Sequence, residues 1–391
     1  MSVEFNLFDP AQLEDPYSVF AQLRQDASAV EVMPTVWLVT RHPEAAEAMT
    51  DHKRFPQAGF TPMVEDRDPE ELAAGELDPP AHTEVRKLLN SLLGRSSLRK
   101  AEPYIREQAE MLVDRLVEHG GGDAIETVGK PLPTNVIAHM LGVPEEDAPQ
   151  FRLWADAAVE AFNPAGDFSV TPAEDFAAYV RDLAIARRGA TDPPDDLITR
   201  MVRHVGDSGK TFSDTEIVTH VTNVIVGGSE TTTHLIGNLL HSMATVEGLF
   251  GDLRNDPSRI DDAIEESLRL DSPVQFLFRR CPHAAQFAGA DIPAESTLAV
   301  SITSANRDET VFEEPDHFRL GRGNTHDHIA FGHGIHFCVG ASLARMEVRL
   351  TIEALLQRVS SIRIAPGATY KRVDNPMMRG PSRLELVIEP H

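Results

Sequence analysis

Residues 331–340 read Phe-Gly-His-Gly-Ile-His-Phe-Cys-Val-Gly, and Cys338 is one of only two cysteines in the 391-residue chain. Three glycines, Gly332, Gly334 and Gly340, surround that thiol. Glycine is what a backbone needs where it turns tightly or passes close to a flat ligand. Directly afterwards Leu343, Met346, Leu350 and Ala354 recur at spacings of three and four, the period of a helix. The stretch therefore predicts a tight cradle that feeds a helix, with the sulfur just ahead of the helix N-terminus. Positive partial charge and free N–H groups at such an end stabilise a sulfur anion, so a thiolate is expected at Cys338.

A lone thiolate in a Gly-rich loop has few uses. Zinc and iron–sulfur sites need several cysteines, and Cys281 lies far away in sequence with no CxxC spacing. A Cys–His nucleophile with His333 or His336 stays open on proximity, but it leaves the flanking phenylalanines and glycines unused. Haem iron takes a single Cys as proximal ligand, and the thiolate then favours O–O cleavage. Loop N–H groups would hold such a sulfur and tune it. With Leu343-Ala344-Arg345-Met346-Glu347 behind it, the stretch resembles the cytochrome P450 haem-thiolate monooxygenases, whose signature is Phe-Gly-x-Gly-x-His/Arg-x-Cys-x-Gly followed by Leu-Ala-Arg-x-Glu. The resemblance implies haem b (iron protoporphyrin IX) with Cys338 as axial ligand of the iron, Phe331, Gly332 and Gly340 against the cofactor, and O2 as co-substrate. It also implies a mainly α fold with small β-sheets, the haem lying between a long central helix and the Cys-ligand loop with its helix.

No Pro/Gly/Ser linker or low-complexity run divides the chain, and 41% hydrophobic residues suffice for a core, so residues 1–391 are read as a single domain. A net charge of −25 argues against a nucleic-acid surface and for a soluble, self-repelling particle, read as a monomer. No apolar run reaches membrane-spanning length. The start, Met-Ser-Val-Glu-Phe-Asn-Leu-Phe-Asp-Pro, has neither a basic n-region nor an apolar h-region, so no signal peptide or anchor is expected. Two cysteines without a disulfide pattern fit a reducing compartment. The expectation is a cytoplasmic protein of the soluble bacterial branch.

The first eighty residues predict a helix near Pro16–Gln25, a β-like run Val36–Thr40 and a second helix from Pro43. Residues 56–80 hold five prolines and two glycines and read as a long loop. By resemblance this loop covers the substrate pocket with Phe60, Met63 and Val64, each equally readable as a hydrophobic pin. On a helix over Thr83–Leu93, His82 and Arg86 are four apart and face one way, which alone is an ordinary solvated face. The resemblance makes them ligands of the haem propionates, together with His336 and Arg279, beside which stands Arg280. An acidic chain that buries two propionates must supply local cations or donors. Helical patterns continue over Pro103–Glu118, Pro133–Leu141, Glu145–Phe162 and Pro172–Arg188. The break Asn163-Pro164-Ala165-Gly166-Asp167 is turn chemistry. By resemblance it roofs the pocket, with Phe162 and Phe168 as contacts and core packing as the alternative.

Between Ser213 and Met243, Ile217, Val221, Val224, Ile225, Leu235, Ile236, Leu239 and Met243 keep a helical period, and Ser213 with Glu216 forms a capping box. In the middle stands Gly227-Gly228-Ser229-Glu230-Thr231-Thr232, poor helix formers expected to loosen the backbone ladder. Gly227, Glu230 and Thr231 share one arc, presenting a gap, a carboxylate and a hydroxyl. Oxygen activation needs protons delivered and a hydroxyl to hold the oxygen. The alternative is a surface Glu with a Thr bonding back to the preceding turn. The run resembles the family's Ala/Gly-Gly-x-Asp/Glu-Thr motif, which implies an acid–alcohol pair of Glu230 and Thr231.

Glu266 and Arg269, at i and i+3, resemble the family's ExxR pair, and Arg322 occupies the position of the Arg that completes it, a folding and haem-retention device. The β-like run Val274–Phe278, with Phe276 and Leu277, and the turn Asn375–Pro381, with Met377 and Met378, match pocket-lining segments and suit an apolar substrate. Strands are expected over Thr297–Ser301 and Leu384–Ile388. The chain has no GxGxxG after a strand and no P-loop, so electrons must come from a ferredoxin or flavodoxin and its reductase. Arg95, Arg99, Lys100, Arg345 and Arg349 are the basic groups that could steer such a partner, or else a solvated face. The departures from the family pattern are Gly227 and Cys281, where Ala is common, and Leu93–Ser97 in place of an aromatic turn. The preferred function is insertion of one oxygen atom into an apolar terpenoid, steroid, fatty acid or polyketide. A peroxide-driven peroxygenase and a non-catalytic haem sensor are the alternatives.

Overall fold

The structure, a computed structural model, describes residues 5–7, 9–57, 68–161, 163, 173–206 and 209–391. Its axis is the helix Asp214–Thr245. At its start the Ser213 hydroxyl accepts the Glu216 N–H at 3.1 Å, and the Glu216 carboxylate accepts the Ser213 N–H at 2.9 Å. That reciprocal cap satisfies two of the end's free donors. Ile217, Val221 and Ile225 from the first half enter one apolar cluster, and Leu235, Ile236, Leu239 and Met243 enter another. Between the clusters lies the Gly227–Thr232 run. The loosening predicted there is not a break, because the helix continues without interruption. Instead Thr231 and Thr233 donate their hydroxyls back to the carbonyls of Gly227, at 2.6 Å, and Ser229, at 2.9 Å.

Pro131–Leu141, Ala148–Ala161, Glu174–Gly189, Ile260–Leu270 and Ala341–Arg358 are among the helices that pack against this axis. The largest sheet has four strands in the order Ala29–Met33, Val36–Val39, Ser296–Ser301, Phe276–Cys281. Its second and third strands run parallel, and the remaining pairs are antiparallel. A three-stranded sheet joins Gly121–Asp123, Glu385–Pro390 and Val359–Ile364. Among the described residues no helix is long and apolar enough to cross a membrane.

Two predicted boundaries move. The spacing places a helix start at Pro103, but the helix runs Arg95–Glu118 with Pro103 inside it. Leu98 and Ala101 bury alongside Ile105 and Ala109, so the apolar face extends upstream of the proline. Burial of that face outweighs the one hydrogen bond Pro103 cannot make. The helix expected from Pro133 likewise begins at Pro131.

The helix Ile260–Leu270 carries a buried charge cluster. Arg269 holds both oxygens of Glu266 at 2.9 Å, and the Arg322 Nε lies 3.1 and 3.2 Å from the same two oxygens. The remaining Arg269 donors go to the carbonyls of Asn306, Pro315 and His317. None of the three side chains is more than 2% exposed. In the helix Ala341–Arg358 the Glu347 carboxyl is buried with Oε2 unpartnered among the described residues, and burial holds its pKa well above the usual carboxylate range. Removing the shared acid, as in Glu266→Leu, leaves two buried guanidiniums without their counter-ion and should cost about 3–5 kcal/mol. The urea midpoint measures this, and a midpoint equal to that of the parent would show the cluster to be dispensable.

Candidate active site

The Cys338 loop is a set of tight turns. Gly332 and Gly334 both have φ of +72°, where a side chain is strained. At Gly334 a Cβ would also come within 3.0 Å of the Met49 carbonyl and of Thr50, at the end of the helix His42–Thr50. The Cys338 N–H donates to the Phe331 carbonyl at 2.8 Å, which folds the loop back on itself. Ala341 then opens the helix Ala341–Arg358, as the spacing predicts. Without a metal, burial pushes the Cys338 thiol up, while the N–H groups of Gly340 and Ala341 and the guanidiniums of Arg86 and Arg345 favour its anion. Coordination to a metal ion deprotonates a thiol outright.

Beside the loop two histidines and two arginines converge. His82, on the helix Ala81–Leu92, is buried, and its ring centroid is 4.3 Å from that of His336. Burial, with His336 and Arg86 nearby, pushes the His82 pKa down to about 4. Arg86, one turn on, donates to the Phe337 carbonyl, and its Nε reaches Asn90 at 3.1 Å. In the strand Phe276–Cys281, Arg279 is 1% exposed and donates to Gln57 and to the Phe278 carbonyl, whereas Arg280 is exposed and meets Glu295 at 3.4 Å. Strand alternation explains the difference. Sequence reasoning passed over Asp78, whose carbonyl accepts the His82 N–H at 3.0 Å. Its Oδ1 is 3.9 Å from His336 Nε2, beyond hydrogen-bond distance. Burial alone would raise the Asp78 pKa, but His336, the Gln57 N–H and Arg279 outweigh it and hold it below the usual range.

On the long helix Gly227 is exposed in mid-helix, and among the described residues a Cβ there would meet nothing within 4 Å, so the helix faces open space among them at that turn. Thr231 is half-buried, with its hydroxyl donated to Gly227. Glu230 lies 3.4 Å from His234, a partner visible in the sequence as an i, i+4 pair. Val339, next to Cys338, packs against the cluster that contains Val221 and Ile225, which brings the cysteine loop alongside this helix.

The pocket residues separate. Phe60, Met63, Val64, Phe162 and Phe168 lie outside the described residues. Leu277 faces the glycine loop, 3.7 Å from where a Gly332 Cβ would stand. Phe276 does not line that side. One position along the strand, it points the other way and packs between Phe5 and Phe20, with centroids at 6.4 and 6.3 Å. Met377 leans on the same N-terminal cluster, and Met378 is buried beside Val274. The side-chain amide of Asn163 donates to the Asp374 carbonyl at 2.8 Å, joining the predicted roof to the methionine turn. Arg345 is not free. Its Nε and Nη2 donate to the buried Glu265 carboxylate, at 2.6 and 2.7 Å, and its guanidinium stacks 4.4 Å from the Phe331 ring centroid. His328 adds a contact to Glu265 at 3.2 Å.

These residues fit a haem on three counts: a sulfur in a glycine cradle, open space at Gly227, and buried cations that already hold the Asp78 carboxyl in its ionised form. Arg279 Nε and His336 Nε2 are buried there without partners, donors that a propionate would satisfy. The comparisons agree. The cytochrome P450 family profile matches residues 173–386. The cytochrome P450 monooxygenase PikC of Streptomyces venezuelae is 34% identical over 95% of this chain and 91% of that protein. The vitamin D(3) 25-hydroxylase of Pseudonocardia autotrophica is 32% identical over 99% and 97%. The structure of cytochrome P450 CYP109Q5 from Chondromyces apiculatus superposes with a TM-score of 0.89 at 32% identity, covering 100% of both chains. The cysteine loop and the long helix thus belong to one fold, and the chain belongs to the cytochrome P450 family of haem-thiolate monooxygenases.

Proposed function

We propose that this monooxygenase hydroxylates an apolar, alicyclic substrate of secosteroid or steroid type, with Cys338 as the iron ligand. The glycine-cradled sulfur is the observation that carries the reading. Support for the substrate class comes from the relative named as a vitamin D(3) hydroxylase and from the apolar Leu277 and Met378 of the pocket segments. Haem supplies the oxygen-activating chemistry when bound. The chain's own residues do the rest. His82, Arg86, Arg279 and His336 would bind the propionates, and Phe331, Gly332 and Gly340 would lie against the ring. Gly227 leaves room for the small co-substrate. Thr231 exchanges its bond to the Gly227 carbonyl for one directed into that space, and Glu230 feeds it protons.

Electrons come from a ferredoxin or flavodoxin with its reductase in the cytoplasm, and the protein acts as a monomeric domain of residues 1–391. With Arg345 committed to Glu265, the docking role passes to Arg349, Arg95 and Arg99, which have no ion pair among the described residues. Arg106 meets Glu353 at 2.9 Å, so the helices that carry these arginines lie side by side. Phe337, 42% exposed, adds an apolar contact next to the sulfur.

The reduced protein under carbon monoxide is expected to show a strongly red-shifted Soret band that Cys338→Ser loses; a parent band at the wavelength of histidine-ligated haem would sink the ligand assignment. Thr231→Ala should keep that band and the substrate-induced spectral change while sending reducing equivalents to hydrogen peroxide. Coupling equal to the parent's would remove Thr231 from the mechanism. Arg349→Glu is expected to slow reduction by an acidic ferredoxin, with the deficit shrinking as salt is raised. Reduction rates indifferent to charge reversal at Arg349, Arg95 and Arg99 alike would place docking elsewhere.

A further inference from the structure

Glu230 has a partner that the proton route does not use. His234, one turn along the same helix, is 4% exposed, and its Nε2 lies 3.4 Å from Glu230 Oε1. The other ring nitrogen, Nδ1, is buried with no hydrogen-bond partner among the described residues. The tautomer follows from these two facts. A proton on Nδ1 would leave a buried N–H unsatisfied, while a proton on Nε2 is donated to the carboxylate and leaves only a bare lone pair. Orphaned buried donors are the rarer and costlier case, so the ring carries its proton on Nε2.

The ring is held from behind by Gly380. A Cβ built there would stand 2.5 Å from His234 Nδ1 and 2.6 Å from its Cβ and Cγ. Gly380 is not among the glycines of positive φ, so the glycine serves space and not backbone conformation. Its own position is fixed on both sides. The Gly380 carbonyl accepts the Val373 N–H at 2.9 Å, and the preceding Arg379 carbonyl accepts the Asn238 side-chain amide at 3.2 Å, one turn beyond His234. The imidazole therefore has one place to stand, between the Gly380 backbone and the Glu230 carboxylate.

We infer that His234 is a positioning residue for Glu230, its Nε2–H holding the carboxylate in one rotamer beside Thr231, with Gly380 keeping the ring in place. A carboxylate so held presents its proton-carrying end in one direction; released, it swings and delivers protons less reliably. The inference rests on reading Glu230 as the proton donor.

Two measurements test it. In holoenzyme labelled with 15N-histidine and reduced under carbon monoxide, the signal lost in His234→Phe should be that of a ring protonated at Nε2 and bare at Nδ1. A ring protonated at Nδ1 overturns the inference. In turnover with ferredoxin, reductase and an accepted substrate, His234→Phe and Gly380→Ala should each raise peroxide per nicotinamide oxidised by about fivefold, the scale of one lost hydrogen bond. Neither should add to the effect of Glu230→Gln. Parent-like coupling in both variants, or full additivity with Glu230→Gln, overturns the role of His234 alone. Parent-like coupling in Glu230→Gln itself overturns the proton-donor reading, and the inference with it, so the two failures are told apart.

Discussion

Two adjacent carboxylates on one turn of the helix Ile260–Leu270 hold the loop that presents the cysteine. Glu266 turns inward to Arg269 and Arg322 and fixes the chain between Glu313 and Arg322. Glu265 turns toward Arg345 and His328, which lie on either side of Cys338 in sequence. A buried charge left unpaired is among the most costly defects a fold can carry, so each carboxylate constrains every segment that answers it. The cradle is therefore fixed at both ends by electrostatics, and its glycines only allow it to turn. Arg345 links the two levels, since the guanidinium that answers Glu265 also covers the Phe331 ring.

Around that fixed loop the fold divides its faces by simple periodicity. The strand Phe276–Cys281 sends Leu277 and Arg279 toward the cysteine side and Phe276 and Phe278 into the N-terminal cluster. The long helix packs one apolar cluster with its first half and another with its second, leaving the turn at Gly227 uncovered among the described residues. Gly227 and the Thr231 hydroxyl stand in that gap, and the poor helix formers are tolerated there because packing on both sides sustains the helix.

How much of this was legible in the sequence depended on whether the partners were near in the chain. The glycine cradle, the capping box at Ser213 and the Glu266–Arg269 pair are local patterns, and each lies where its spacing puts it. Phe276 was misassigned because a short apolar run does not say which of its two faces is the core. The helix start at Arg95 was hidden because Pro103 reads as a first-turn proline. Asp78 and Glu265 went unseen because their partners, His336 and Arg345, are distant in sequence and nothing local marks them. His234 is the exception. Its pairing with Glu230 is an i, i+4 relation, but only the approach of Gly380 gives it meaning.

The parallel pairing of Val36–Val39 with Ser296–Ser301 ties the order of assembly to the direction of synthesis. As the chain emerges, the hairpin Ala29–Val39 has no sheet to join until the third strand has left the ribosome, and contacts of such long sequence separation form slowly. The strand carrying Arg279 pairs with that same late strand. The sheet that carries Arg279 is thus complete only when most of the polypeptide exists, and the cysteine loop is encoded later still.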